Sequence, residues 1–196
     1  FKLYDESVSG SASKPVEMSR GLIKFNFETV KALTASTIDL NSNNFKATLK
    51  MFDVYGGQTT PSNFKIIAFP LSKSFDEGNG RDVVSFGDLD SANYITASVT
   101  DGVAVGWDLP GAHASGVLGD PNLDVVVSGT IEGPDGSSYL NLTREQMFAV
   151  GSEDLSLDVT KIVSATISGQ IPNHGFLIAY SASYEKNEKT YYGRVS

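Results

Sequence analysis

Histidine and carboxylate side chains are the groups in this chain that are best suited to catalysis. There are two histidines, His113 in a Gly/Ala-rich loop and His174 in a Pro-Asn-His-Gly turn. Neither has the Ser and Asp spacing of a triad, and the GxSxG, HExxH and P-loop patterns are absent. Asp76 and Glu77 are adjacent carboxylates, but a glycosidase pair is assembled in space and loop residues of this type usually cap turns. We therefore expect a protein that is not an enzyme.

Acidic residues in the loop-rich segment 72–121 suit a hard metal ion. Asp82, Asp88 and Asp90, with nearby backbone carbonyls, offer the oxygen ligands that Ca²⁺ prefers. The spacing is not that of an EF-hand, because the glutamate of the twelfth position is missing. A structural calcium site and a solvated acidic loop therefore both stay open, and the sequence indicates no other cofactor.

An aromatic side chain with polar neighbours suggests a carbohydrate site. Trp107 stands beside Asp108, and Tyr94 and Asn93 add a second aromatic ring and an amide. A sugar ring is held by an aromatic face with flanking polar groups. The alternative is that the single tryptophan fills the core, which is the commoner role of a large aromatic residue.

The composition excludes several classes of function. The chain has 196 residues and no cysteine, which removes disulfides, thiolate zinc sites and cysteine nucleophiles together. Its 15 basic and 23 acidic residues give a net charge of −8, which repels nucleic acid. The apolar runs, such as 176–180, are far shorter than the roughly 20 residues of a membrane span. We expect neither nucleic-acid nor membrane partners.

Alternating segments separated by turns predict an all-β fold, an antiparallel β-sandwich of jelly-roll type with one to three short helices. In 155–159 apolar and polar residues alternate as in a half-buried strand, and 176–180 is a continuous apolar strand. Between these strands Thr160 is placed to cap a helix over 160–168. Further strands are predicted over 21–27, 45–51, 64–70, 93–99 and from 125, the last closed by the GPDG turn at 133–136.

A second helix is predicted near 144–150, because Thr143 with Gln146 three residues later matches a capping box. Residues 1–19 are polar and form an N-terminal extension or an edge strand. Residues 20–196 form one domain with a loop-rich insert over about 72–121. The predicted core consists of Ile23, Phe25, Phe27, Phe45, Leu49, Met51, Phe64, Ile66, Val125, Val127, Leu157, Val159, Phe176 and Ile178.

Several short motifs occur in the order found in a known type of module. The chain resembles the jelly-roll modules called DNRLRE-type domains in four segments: GLIKFNF at 21–27, the strand at 45–52, DVT at 158–160 and NHGF at 173–176. The chain is also similar to structural virion proteins of tailed bacteriophages that carry such a module. That similarity is carried by FDEGNGRD at 75–82, the DVT unit and KTYYGRVS at 189–196.

The resemblance implies a non-enzymatic structural protein of a virion, in a tail, neck, fibre or head-decoration position. Its partners would be other virion proteins or further copies of itself, as a homo-oligomer or multi-copy assembly in the extracellular particle. Modules of this kind often hold a structural calcium, which the resemblance implies without locating the ion. The alternative function is a carbohydrate-binding jelly-roll module of a secreted or surface protein, with a glycan as its ligand.

The apolar residues near the two ends are candidates for assembly contacts. These are Phe1, Leu3 and Tyr4 at one end and Tyr191 and Tyr192 at the other. An exposed terminal strand adds to a neighbour's sheet edge through backbone hydrogen bonds, with alternate side chains giving specificity. Pairing within the chain's own sheet is the alternative.

Overall fold

The computed structural model describes residues 2–5, 16–54, 62–78, 91–131 and 140–185, and the all-β class with short helices is confirmed. The strands are β1 Lys2–Asp5, β2 Val16–Ser19, β3 Gly21–Ile23, β4 Thr48–Met51, β5 Phe64–Pro70, β6 Thr96–Thr100, β7 Val103–Gly106, β8 Ser115–Val117, β9 Val125–Gly129, β10 Leu140–Asn141, β11 Arg144–Phe148, β12 Leu155–Asp158 and β13 Phe176–Tyr180. The helices are α1 Glu28–Leu33, α2 Thr160–Ile167 and α3 Ala182–Glu185.

A four-stranded antiparallel sheet in the order β11-β5-β13-β3 is buried on both faces. Alternation along β13 sends Phe176 and Ile178 to one face and Leu177 to the other, and all three side chains are buried. The two faces contribute to two separate hydrophobic clusters. A strand that is covered on both sides needs a continuous apolar sequence, which explains the run at 176–180.

One face of this sheet packs against α2 and against the two-stranded sheet of β12 and β4. The predicted strand–helix–strand unit is confirmed in its order and, to within one residue, in its bounds, since β12, α2 and β13 follow one another as expected. The buried side chains that this layer contributes are Leu49, Leu155, Leu157, Ile162, Val163, Ala165 and Ile167.

The other face packs against a layer of loops around the β6–β7 hairpin and the start of β9. The buried members of this second cluster are Leu71, Phe75, Ala97, Trp107, Ala112, Val125 and Leu177. In the neighbouring sheet β10-β9-β8, β8 runs parallel to β9, so this pair departs from the purely antiparallel arrangement that was predicted. The GPDG turn at 133–136 lies outside the described residues.

At the N-terminal end, β1 and β2 form a separate two-stranded antiparallel sheet in which Leu3 lies opposite Met18 and Tyr4 opposite Glu17. Within the described part of the chain neither strand pairs with another sheet. The prediction of an extension or edge strand over 1–19 therefore corresponds here to a strand that pairs locally.

The helix predicted near 144–150 is wrong, since residues 144–148 form β11, which is paired along its whole length with β5. The capping-box residues serve other purposes: Thr143 donates to Asn141 Oδ1 at 2.7 Å. The Gln146 amide bridges to β12, accepting from Ser156 N–H at 2.7 Å and donating to Asp154 O at 2.8 Å. Pairing with β5 and β12 therefore overrides the local helix pattern.

The capping role predicted for Thr160 is also wrong, although the helix begins where expected. Thr160 lies inside the first turn of α2, and its Oγ1 accepts the backbone N–H of Ala47 at 3.0 Å. The carboxylate of Asp158 accepts the Thr160 N–H at 2.9 Å instead. Hydrogen bonds from the side chain and then the backbone of Thr160 lower the pKa of Asp158.

Two strands are shorter than predicted, because β3 ends at Ile23 and β4 begins at Thr48. Phe25 and Met51, predicted in the core, are 41% and 40% exposed. Phe25 follows the end of β3 and stacks on Phe27 near the surface, and Met51 ends the β4 ladder. The buried members of the predicted core are Leu49, Phe64, Val125, Leu157, Val159, Phe176 and Ile178, and the half-buried ones are Ile23, Phe27, Phe45, Ile66 and Val127.

Candidate functional site

The loop at 107–114 is contacted by titratable side chains from four other parts of the chain: Arg20, Lys73, Asp124 and Glu185. It leaves β7 at Trp107 and reaches β8 after Ala114. Three sets of contacts hold this loop in place: those of a buried aspartate, those of the backbone at 93–96, and those of an arginine just before β3.

Asp124, directly before β9, is fully buried and accepts three backbone N–H groups of the loop. Its Oδ1 lies 2.7 Å from Asp108 N, and its Oδ2 lies 3.0 Å from both Leu109 N and Ala114 N. Hydrogen bonds to an ionised carboxylate are roughly twice as strong as neutral ones. Asp124 therefore fixes the two ends of the loop against the start of β9.

Lys73 supplies the positive charge next to this carboxylate. Its Nζ lies 2.7 Å from Asp108 Oδ2 and 3.7 Å from Asp124 Oδ1, and it donates to Gly106 O at 3.0 Å. One ammonium group thus balances the exposed and the buried aspartate and also contacts the last carbonyl of β7.

The four residues of the carbohydrate hypothesis, Trp107, Asp108, Tyr94 and Asn93, lie together around this loop. Trp107 is only 7% exposed, packs in the second cluster and donates its indole N–H to Asn93 O at 2.8 Å. Asn93 Oδ1 accepts the N–H groups of two following residues. The core role of Trp107 is therefore the one observed, and the flat ring face needed to stack on a sugar is covered.

Tyr94 packs against the loop where the chain passes closest to it. A Cβ on Gly111 would lie 2.5 Å from Tyr94 Cε2, and Gly111 has a φ of +81°. The Gly111 N–H donates to Tyr94 O at 2.6 Å. Both the close approach and the left-handed backbone require glycine here.

Arg20, just before β3, joins this loop to α3. Its side chain is 6% exposed, and its Nε and Nη2 donate to Glu185 Oε1 at 3.1 Å and Oε2 at 2.6 Å. Its Nη1 donates to Gly111 O, and its Nη2 also contacts His113 Nε2. The bidentate arrangement matches the planar guanidinium fork to a carboxylate.

Both ring nitrogens of His113 have partners. Nδ1 lies 3.0 Å from the carbonyl oxygen of Pro110, and Nε2 contacts Nη2 of Arg20. These contacts position the loop against Arg20.

Glu185 is held in its ionised form by this cluster. Burial by itself would raise the pKa of Glu185, but the side chains of His113 and Arg20 outweigh burial, and the pKa lies below its ordinary value. The carboxylate Oε2 is also 3.6 Å from His113 Nε2. The cluster therefore ties three distant segments together as one charge-balanced contact.

The second histidine lies in a turn, as the sequence predicted. His174 is half-buried, and burial followed by the charge of Lys24 lowers its pKa. The neighbouring Asn173 donates its amide to Phe25 O at 2.9 Å, which fixes the turn before β13.

Other predicted site residues fall outside the described ranges: Phe1, Asp82, Asp88, Asp90, Tyr191 and Tyr192. Leu3 and Tyr4 belong to β1. In the described part of the chain, no three His, Asp or Glu side chains are grouped as metal ligands. Calorimetry with Ca²⁺, and melting with and without chelator, test the calcium prediction on the whole chain.

Apolar side chains reach solvent beside the β4–β12 sheet. We define this apolar patch as Phe52, Val54 and Val150, of which Phe52 is 73% and Val54 is 86% exposed. Asp53 N–H donates to Asp154 Oδ1 at 2.9 Å, which brings the 52–54 segment next to the turn that contains Val150.

Sequence reasoning missed Arg20, Lys73, Asp124 and Glu185. Arg20 and Glu185 are 165 positions apart, and no local pattern relates them. Asp124 has one recognisable signal, an acidic residue placed directly before the apolar run Val125-Val-Val127. Its donors are backbone N–H groups, which no side-chain pattern reveals.

Comparisons with protein-family models, with characterised proteins and with solved structures found no match for this chain. Within the described residues, no helix has the length and apolar character needed to cross a membrane.

Proposed function

We propose that this chain is a non-enzymatic structural protein of a tailed-phage virion that acts by packing against neighbouring virion proteins or copies of itself. The order of the motifs at 75–82, 158–160 and 189–196 supports the phage assignment. Tail, neck, fibre and head-decoration positions are all compatible with it.

The observation that carries the packing role is the solvent exposure of large apolar side chains on an acidic protein. The apolar patch, Phe52, Val54 and Val150, places three of them on adjoining segments, and Val103 on β7 is also 66% exposed. Contiguous exposed apolar surface marks interaction sites. The polar clusters, by contrast, engage their charges internally, at Arg20–Glu185 and at Lys73–Asp108.

The test is quantitative mass spectrometry of density-purified extracellular particles from the source culture. Peptides of this chain at an integer copy number relative to the major capsid protein would support the proposal. Their absence from the particles, with the chain found free or on cells, would contradict it.

The alternative, a carbohydrate-binding module, draws on the juxtaposition of Trp107, Asp108, Tyr94 and Asn93. Burial of the indole weighs against it, because stacking on a sugar would require the loop at 107–114 to leave Asp124. A glycan array that stays silent at high protein concentration, with unchanged Trp107 fluorescence, would remove this alternative.

A further inference from the structure

Carboxylates surround the apolar patch. The side chains of the patch are between 62% and 86% exposed in the described part of the chain. Asp53 lies between the two patch residues of one segment, and Glu153 and Asp154 follow the third patch residue in the turn before β12. The surface therefore combines large exposed apolar side chains with three acidic ones.

These three carboxylates are not balanced by cations. Asp154 Oδ1 accepts the Asp53 N–H at 2.9 Å, and Glu153 accepts three backbone N–H groups of the turn at 2.7–3.0 Å. Backbone hydrogen bonds, that of Val150 first, lower the pKa of Glu153, which keeps it ionised. Among the described residues none of the three forms an ion pair. Even with Lys50 included, the segments 50–54 and 149–154 have three acidic residues and one basic residue.

A segment that covers this patch must combine apolar with positively charged side chains, because the potentials of a specific contact are complementary. The longer stretches outside the described residues differ in this respect. Residues 6–15 and 55–61 have no net charge, and 79–90 and 132–139 each have two acidic residues in excess. Residues 186–196 have three basic residues and one acidic residue, a net charge of +2, and include two adjacent tyrosines. The C-terminal segment therefore matches the patch in both charge and apolar character.

The C-terminal segment begins close enough to reach the patch of its own chain. The Glu185 N–H donates to Ser181 O at 2.9 Å, and the Ser181 N–H donates to Lys65 O at 3.1 Å. Lys65 pairs in turn with Met147, three residues before Val150. Two strand spacings, one helical turn and three residues of chain thus separate Glu185 from Val150, which is at most about 27 Å. The eleven residues that follow Glu185 extend up to about 36 Å.

We propose that residues 186–196 pack on the apolar patch of their own chain. The rings of Tyr191 and Tyr192 contact the patch, and Lys189 and Arg194 lie beside its carboxylates. A tethered segment meets its site at an effective concentration in the millimolar range, so a few weak contacts hold it there. The inference rests on the proposed function in one respect, since the patch is the packing surface proposed there. A neighbouring virion protein or copy then displaces the segment when it packs.

Because the chain has no cysteine, a single spin label tests this contact in the full-length protein. A nitroxide is attached to Ser196→Cys, and paramagnetic relaxation enhancement is measured at the valine methyl groups in dilute protein. We expect strong enhancement at Val54 and Val150. The matched control is Val103, which is 66% exposed on β7 in the layer on the opposite face of the central sheet, and which should show little enhancement.

Charge reversals in the spin-labelled chain test the electrostatic part of the contact. Lys189→Glu combined with Arg194→Glu should lower the enhancement at the patch about threefold, and added salt should act in the same direction. The control combines Lys31→Glu on α1 with Lys161→Glu on α2, where both lysines are exposed. It changes the net charge by the same amount and should leave the enhancement as it is. Asp53→Lys reverses a charge on the patch side and should lower the enhancement as well.

Three results would overturn the proposal. These are no enhancement at Val54 and Val150, an equal enhancement at Val103, or an enhancement that passes only between chains when spin-labelled protein is mixed with unlabelled, isotope-enriched protein. The third result would assign the contact to a second copy. None of them bears on whether the chain occurs in virions. Absence from particles, equally, leaves the contact in the isolated chain untouched, so failure of one proposal is distinguishable from failure of the other.

Discussion

Arg20 and Glu185, 165 positions apart, form a bidentate ion pair in which both side chains are less than a tenth exposed. Arg20 precedes β3 at one border of the central sheet, and Glu185 ends α3 just after β13. Because β3 and β13 are neighbours in that sheet, the pair fixes the segments flanking two adjacent strands. It also holds the loop at 107–114 through Gly111 and His113.

Removing one member of this pair should destabilise the protein strongly. Glu185→Gln leaves the Arg20 guanidinium buried without its counter-charge, and breaking a buried pair in this way costs about 3–5 kcal/mol. Urea unfolding followed by tryptophan fluorescence measures the loss. Glu145→Gln is the matched control, because the Glu145–Lys65 pair is exposed and should contribute about 1 kcal/mol or less. Equal losses in the two variants would contradict the assigned importance of the buried pair.

The same pair predicts a pH dependence. The pKa of Glu185 is lower in the folded protein than its ordinary value of 4.5, so the folded state favours the ionised form. The contribution of ionised Glu185 to the free energy of unfolding is complete above its unfolded-state pKa and is lost as the pH falls through the lower folded-state pKa. The difference in unfolding free energy between wild type and Glu185→Gln should therefore shrink below pH 4.5. A difference that stays constant down to acid pH would argue against this linkage.

Asp124→Asn should loosen the loop at 107–114. The substitution replaces a carboxylate that accepts three N–H groups with an amide whose NH₂ must face some of those donors. Hydrogen bonds to a charged group contribute about 1.5–3 kcal/mol each, and we expect a loss of about 3 kcal/mol in total. Trp107, which begins the loop, should shift its fluorescence to the red.

The control is Asp120→Asn, the same substitution at an exposed aspartate that accepts one N–H, from Val117. It should leave both stability and Trp107 emission close to those of the wild type. If Asp124→Asn behaved like this control, the loop would be held by contacts other than the buried carboxylate.

Thr160 stabilises the fold through its hydrogen bond with the Ala47 N–H and not as a helix cap. Its Oγ1 links α2 to the segment before β4, so Thr160→Val should lower the free energy of unfolding by about 1 kcal/mol. Thr160→Ser keeps the hydroxyl and should keep most of this stability. Chemical denaturation of both variants measures the difference. A serine variant as unstable as the valine variant would place the effect in side-chain packing instead of the hydrogen bond.

The parts of the fold that were predicted correctly are those encoded by burial along a single element. The continuous run at 176–180 reflects a strand covered on both faces, and the alternation at 155–159 reflects one covered face. The helix at 144–150 failed because Gln146 has its partners in β12, which a local pattern does not include. The same limit applies to Arg20, whose partner is 165 residues away.

The candidate site was predicted in part by residue type. Trp107, Asp108, Tyr94 and Asn93 do come together, yet the sequence did not determine which side of the indole is covered. The reason is that Asp124, through three backbone N–H groups, turns the loop inward. Backbone donors occur at every non-proline residue, so their convergence on one carboxylate leaves no trace in the sequence.

Deleting residues 1–7 tests whether the N-terminal strand serves folding or assembly. The deletion removes β1, which pairs only with β2 among the described strands, whereas Arg20 and β3 remain. We therefore expect the melting temperature and the near-ultraviolet circular dichroism to stay close to those of the full chain. Loss of incorporation into particles with folding intact would identify Leu3 and Tyr4 as part of a docking strand. Loss of folding would instead assign the β1–β2 sheet to the stable domain, because the central sheet would then depend on a strand with which it shares no hydrogen-bonded ladder.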